Sequence, residues 1–263
     1  MAKRSVKNTG KFVEIPTSLK KTTLKLFVYS NPKASATLIL MPGGIGKVGI
    51  LNKSGWPNNT NFLTRSASLF AAQNFNIILM GLQSNIEYIR RPHLSKLSPY
   101  SDTYVFHRGP QHLDNMKRTI FFARKQFNLP TWLAGNCLSS VSAVDAALAL
   151  RDDKTLNGLI LTSSPTNTQD IHTCVVTHDL PSIKIPVLVV HHIKDACPIC
   201  DPSKAKKIIE RLTSSPRKEL IMVDYECAPI GNPCRARHYH GFLGMEAKVV
   251  SQISDWIRST PLY

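Results

Sequence analysis

Short runs of β-branched and aliphatic residues alternate with helical periodicity along most of the chain, which predicts an α/β fold built on a mostly parallel central sheet flanked by helices. "KFVEIPT" and "TLKLFVYS" read as a leading antiparallel hairpin. "ATLILMP", "FNIILMG", "TWLAG", "LNGLILTSS", "IPVLVVHH" and "KELIMVDY" follow as strands. Between them, "NFLTRSASLFAAQ" suits a helix, and Leu113, Met116, Ile120, Ala123 and Phe127 recur at helical spacing. A small-residue helix is expected from Leu138 to about Leu150, and "PSKAKKIIERLT" opens another with Pro202 in its first turn. Met245, Val249, Ile253 and Trp256 mark a terminal amphipathic helix. A polar loop is expected from Pro165 to about Ser182. Residues 82–109 carry no clear period and are a candidate lid or substrate-contacting insertion. No stretch reads as a flexible linker, so residues 1–263 are expected to form a single domain.

The apolar runs are strand length, far short of the roughly 20 residues that cross a bilayer, so no membrane span is expected. The net charge of +16 would attract nucleic acid, anionic lipid or an acidic substrate. Its basic residues are dispersed, however, and no nucleic-acid motif accompanies them, which favours a solvated basic surface and no nucleic-acid partner. The start "MAKRSVKNTGK" is basic but lacks an apolar segment after it, so it does not read as a signal peptide.

"WLAGNCLSSVSA" is a buried strand that turns abruptly into a helix. Gly135 and Ser139 flank Cys137 two residues before and after, the spacing of a nucleophile elbow, where small residues let the backbone fold tightly. Such a turn lifts the side chain over a helix N-terminus, which stabilises a thiolate and an incoming oxyanion. A packing cysteine would fit the pentapeptide alone, and serine at 139 departs from the glycine usual there. Glycines in "MPGGIG" let backbone amides approach a reacting oxygen, which makes the amides of Leu138 and of Gly44 or Ile45 the candidate oxyanion donors. "VLVVHHIKDAC" carries Asp195 beyond a buried strand, and "RHYHGF" carries His240 between the final strand and the last helix.

Nucleophile, acid and histidine in that order resemble the α/β-hydrolase superfamily over nearly the whole chain. "HHIKDAC", "GNPC" and "HGFLGMEAKVVSQISDWI" resemble, more narrowly, a group of bacterial α/β hydrolases with an H-H-x-x-D-x-C segment and an H-G-F-x-G ending. Those relatives usually carry serine in the elbow with glycine two residues later; the related dienelactone hydrolases use a Cys-Asp-His set. The resemblance implies that Cys137 attacks an ester, thioester or lactone carbonyl, His240 shuttles the proton, and Asp195 holds the imidazole, with no cofactor and no catalytic metal.

Rivals exist for each role. His238 is the alternative base, Asp201 reads better as a helix N-cap than as the acid, and Ser140 would sit inside the helix. His191 and His192 fall on opposite faces of a strand, so core or supporting roles suit them. Arg90, Arg91 and His93 could meet an acidic substrate, although a solvated loop suits them better. Cys197, Cys200, Cys227 and Cys234 lie in the loops that carry the acid and the histidine. They could be free thiols, a zinc set starting from Cys197-x-x-Cys200, or disulfides. The family resemblance pairs Cys197 with Cys234, and Cys200 with Cys227 would be a second bridge, with Cys174 unpaired. Bridges would point to a periplasmic or secreted location, free thiols to the cytoplasm. The expected activity is hydrolysis of a small ester-like molecule; the alternative is a non-catalytic ligand-binding protein on the same fold.

Overall fold

The computed structural model describes residues 10–44, 46–84, 107–167 and 174–261. Ile45 and residues 85–106, which hold most of the expected lid together with Arg90, Arg91 and His93, lie outside them. Strands β1 (Lys11–Pro16) and β2 (Thr23–Tyr29) pair antiparallel as the leading hairpin. β2 then pairs antiparallel with β6 (Phe75–Gln83). From β6 the sheet continues in parallel through β3 (Ala36–Met41), β7 (Thr131–Asn136), β8 (Gly158–Thr162), β9 (Val187–His192) and β10 (Lys218–Val223). The order of the eight-stranded sheet is therefore β1-β2-β6-β3-β7-β8-β9-β10.

The apolar runs are continuous because helices bury both faces of the parallel strands. On one face Ile39, Met41, Leu133, Leu159 and Val189 meet Met116, Ile120 and Ala123 of α3 (Pro110–Phe127) and Val141 and Val144 of α4 (Leu138–Ala149). Alternate residues on the other face, Leu38, Leu40, Ala134, Ile160 and Val190, pack against α1 (Phe62–Arg65), α2 (Ala67–Ala72) and α6 (Glu246–Arg258) through Phe62, Phe70, Val249 and Ile253. β10, with one edge unpaired, is the exception: most of its residues are half-buried or exposed.

Three local expectations change. "NFLTRSASLFAAQ" is two short helices, α1 and α2, which meet at Ser66. Residues 202–213 form a 3-10 turn, Pro202–Lys204, before α5 (Lys206–Arg211), with the Asp201 side chain accepting from the Ser203 amide as an N-cap. A small hairpin of β4 (Ile50–Leu51) and β5 (Pro57–Asn58) follows the glycine cluster, in a stretch too polar and short for periodicity to reveal.

Register delivers the site. Met41 of β3 lies opposite Gly135 of β7, Asn136 opposite Thr162 of β8, and Thr162 opposite Val190 of β9. The segments that follow these strands therefore emerge side by side at the C-terminal edge of the sheet, where open α/β sheets bind their ligands.

Candidate active site

Cys137 adopts φ 54°, ψ −123° between β7 and α4, a conformation that costs a non-glycine residue about 1–3 kcal/mol. Its surroundings enforce that backbone. The Cys137 amide donates to Thr162 O (2.9 Å), and its carbonyl accepts from the Ser140 amide (2.9 Å) and the Ser140 hydroxyl. Ser140, fully buried and so engaged, braces the turn. Gly135 must lack a side chain, because a Cβ there would stand 2.5 Å from Ser139 O. Ser139 itself needs no glycine freedom: it lies in the helix, and its hydroxyl donates to Pro42 O at 2.6 Å. The departure at 139 thus ties the elbow to the loop after β3.

That loop is braced from two further directions. Gly43 approaches so closely that a Cβ would come within 2.8 Å of Asn136 O, and Asn61 Nδ2 donates to Asn136 Oδ1 at 3.0 Å. The His107 ring holds the Gly44 carbonyl through Nε2, and the Ser142 hydroxyl of α4 lies 2.9 Å from His107 Nδ1. Burial lowers the His107 pKa to about 4, so the ring is neutral and its Nε2–H donates to that carbonyl. Gly44 has φ +62° with open space where a side chain would project. Leu138 follows Cys137 directly, at the first position of α4. Of the candidate oxyanion donors, Leu138 is at the elbow and Gly44 in the adjoining loop, while Ile45 is outside the described residues.

The candidate acid and base meet across two loops. Asp195 Oδ2 lies 2.9 Å from His240 Nδ1, with both side chains buried. Asp195 Oδ1 accepts from the Cys197 amide at 3.0 Å, which fixes the carboxylate plane. His240 occupies the 3-10 turn Tyr239–Gly241, and its carbonyl accepts from the Ser163 hydroxyl at 2.8 Å. A Cβ on Gly241 would collide with Ala236 O at 2.2 Å, so this turn requires glycine. Arg65 of α1 pairs with Glu246 of α6 (2.7 Å) and donates to the carbonyls of Gly241 and Thr60, clamping the histidine turn onto the helices. His238 instead packs edge-on against Tyr239. His191 Nε2 accepts from the Ser164 amide, and His192 bonds to Tyr225 O and the Lys194 amide, so both support neighbouring backbone.

Cys197 and Cys234 form a disulfide that joins the acid loop to the histidine loop across 37 residues. The second bridge does not form: Cys200 and Cys227 are both free thiols. Cys200, in the same turn as Cys197 (Cys200 N to Cys197 O, 2.9 Å), is fully buried and turned instead toward Cys137. The disulfide also removes the zinc set built from the four loop cysteines. The Cys137 and Cys200 sulfurs and a His240 ring nitrogen lie within 4.8 Å of one another. The approach of Cys200 to Cys137 carries no signal along the sequence, because the two lie 63 positions apart on different loops.

Proximity polarises the pair. The Cys200 thiol, then the His240 cation, hold the Cys137 thiol well below its ordinary pKa despite burial. Burial opposes charging of His240, but the Cys137 thiolate and Asp195 together raise it to about 10. Burial first, and the adjacent thiolate second, push Cys200 well above the ordinary range. These directions favour a thiolate on Cys137 paired with a protonated His240, beside a protonated Cys200.

No family model and no curated protein matches the sequence. Solved structures do. A dienelactone hydrolase from Anabaena variabilis superposes with a TM-score of 0.64 at 12% identity, covering 97% of this chain and 100% of the other. A cold-adapted esterase from an Arctic intertidal metagenomic library gives 0.58 at 11%, covering 94% and 93%. The thioesterase domain from the curacin biosynthetic pathway gives 0.56 at 11%, covering 96% and 100%. At such identities the likeness speaks to architecture, and with the strand order above it establishes that this chain has the fold of the α/β-hydrolase superfamily.

Proposed function

We propose that the chain is a hydrolase of small esters, thioesters or lactones that uses Cys137 as nucleophile, His240 as general acid and base, and Asp195 to orient the imidazole. The observation that carries this reading is a strained, buried cysteine at a strand-to-helix turn facing a histidine whose Nδ1 is held 2.9 Å from a buried carboxylate. The names of the structural neighbours, esterase, thioesterase and dienelactone hydrolase, support the same reaction class.

In this mechanism the Cys137 thiolate adds to the carbonyl carbon, and the carbonyl π electrons move to oxygen. The Leu138 amide and the amide of Gly44 or Ile45 stabilise that oxyanion. Collapse expels the alkoxide or thiolate, which takes the proton from His240 Nε2 and leaves an acyl-thioester on Cys137. Neutral His240 then removes a proton from water, hydroxide adds to the thioester, and collapse releases the carboxylic acid and restores the thiolate–imidazolium pair. Asp195 holds Nδ1 and stabilises each imidazolium.

The described sheet and its two cores support a single domain. The Cys197–Cys234 bridge supports a periplasmic or secreted location over a cytoplasmic one. No helix among the described residues is long and apolar enough to cross a membrane.

The test is hydrolysis of a panel of chromogenic short-chain esters, thioesters and lactones by the protein and by Cys137→Ala, Cys137→Ser and His240→Ala. Turnover in the parent and its loss in both alanine variants is the expected result. Inert parent protein that nevertheless binds panel compounds would replace this reading with the ligand-binding one.

A further inference from the structure

Acyl transfer needs one thiol, yet two converge on the same imidazole. We propose that Cys137, Cys200 and His240 form a binding site for a thiophilic divalent cation of the zinc class, taking both sulfurs and the histidine Nε2. With Nδ1 held by Asp195, Nε2 is the nitrogen turned to the thiols.

The geometry fits three-ligand capture. In a tetrahedral zinc site, metal–sulfur bonds of about 2.3 Å and metal–nitrogen bonds of about 2.0–2.1 Å put ligand atoms roughly 3.5–3.8 Å apart. The three atoms here already lie within 4.8 Å of one another, so closure by about 1.3 Å at most suffices. Each ligand is held by its own device. The elbow hydrogen bonds fix Cys137, the Cys197–Cys234-bonded turn fixes Cys200, and Asp195 fixes His240. The Asp195–His240 pair is also the carboxylate–histidine arrangement that orients metal-bound imidazoles and makes them better ligands.

Charge and ligand type set the selectivity. Binding forms two metal–sulfur bonds and one metal–nitrogen bond, while the Cys200 thiol proton and the His240 Nε2 proton pass to solvent. Two thiolates neutralise a divalent cation, and a fourth position remains for water, as in Cys₂His sites. Sulfur donors favour zinc, cobalt and cadmium over magnesium and calcium. Coordination does not depend on the hydrolase reading. Its consequence does: a bound metal would occupy the nucleophile and the base, so metal binding and acyl transfer would exclude each other.

The test is titration of the full-length protein, air excluded and Cys197–Cys234 intact, with cobalt(II) as a spectroscopic probe and zinc as competitor. The expected result is one cobalt per chain with sulfur-to-cobalt charge-transfer and tetrahedral bands, bleached by zinc and unmoved by magnesium. Cys200→Ser and, independently, Cys137→Ser should each roughly halve the charge-transfer intensity and weaken zinc by more than ~100-fold, beyond what loss of an outer partner costs. Cys227→Ser should leave the spectrum unchanged. A missing charge-transfer band in protein with four titratable thiols overturns the proposal, as does a band indifferent to Cys200→Ser. Loss of two thiols as a Cys137–Cys200 disulfide before metal is added also overturns it, in favour of an oxidised pair. Active ester turnover without cobalt binding would refute this inference alone; cobalt binding by a protein that is inert in its metal-free form would refute the hydrolase reading alone.

Discussion

The two sides of the site are held by opposite means. On the side of the proposed nucleophile, Cys137 is placed by backbone geometry within one tight turn, stabilised by hydrogen bonds to β8, to Pro42 and within α4. On the base side, Asp195 and His240 sit on loops 45 residues apart, joined by a disulfide and clamped by Arg65. One side accepts local strain to aim a sulfur. The other relies on long-range cross-links to bring an imidazole to it. The difference teaches that a site can be built from a locally encoded half and a tertiary half, and each half should fail in its own way.

The sharpest test of the nucleophile side is to remove the sulfur and the strain separately. Cys137→Ala should lower kcat by ~10⁴-fold or more while leaving the fold intact. Cys137→Gly should be equally inactive, yet more stable than the alanine variant by about 1 kcal/mol in urea unfolding, because glycine adopts positive φ without a Cβ penalty. If the glycine variant is no more stable, the elbow is not strained and the comparison fails.

Acid should act first on the nucleophile side. His107 braces the Gly44 loop as a neutral ring with its pKa lowered to about 4, against 6.5 for the free group. The unfolded chain binds more protons in that window, so the contribution is fully present above pH 6.5 and is lost as pH falls through 4, amounting to ~3 kcal/mol. Chemical denaturation at pH 7 and pH 4.5 should show the loss, and His107→Gln should flatten it. An unchanged slope in that variant would place the acid sensitivity elsewhere, for example at His191, whose pKa burial also lowers to about 4.

Opening the base side should cost stability and turnover together. Replacing Cys197 and Cys234 by serine releases a 37-residue cross-link and should destabilise the protein by about 2–4 kcal/mol. Arg65→Met keeps the side-chain bulk but frees the Gly241 carbonyl, and is expected to lower kcat by ~10-fold with KM little changed, since it misplaces the imidazole without touching substrate. A fall in stability with unaltered kcat would make Arg65 a packing residue only. The smallest effect should come from Ser139→Gly: loss of the hydroxyl bond to Pro42 costs about 1 kcal/mol, read from the unfolding midpoint.

What the sequence determined by itself are the features whose physics is local. Buried parallel strands read as apolar runs because both faces are covered, and the elbow reads from Gly135 and Cys137 because only a small residue fits against Ser139 O. The order of Cys137, Asp195 and His240 is likewise linear information, and the resemblance supplied both the roles proposed for them and the Cys197–Cys234 pairing. The helix break at Ser66 was not legible, since the periodicity of residues 61–73 runs unbroken through it. Tertiary structure alone decided that His240 rather than His238 meets Asp195, because the glycine turn closed against Ala236 aims one ring inward. It also decided that Cys200 faces Cys137 and not Cys227. That choice depends on how a disulfide-anchored turn packs against an elbow formed on another strand, and no spacing along the chain encodes the meeting of two loops at the edge of a sheet.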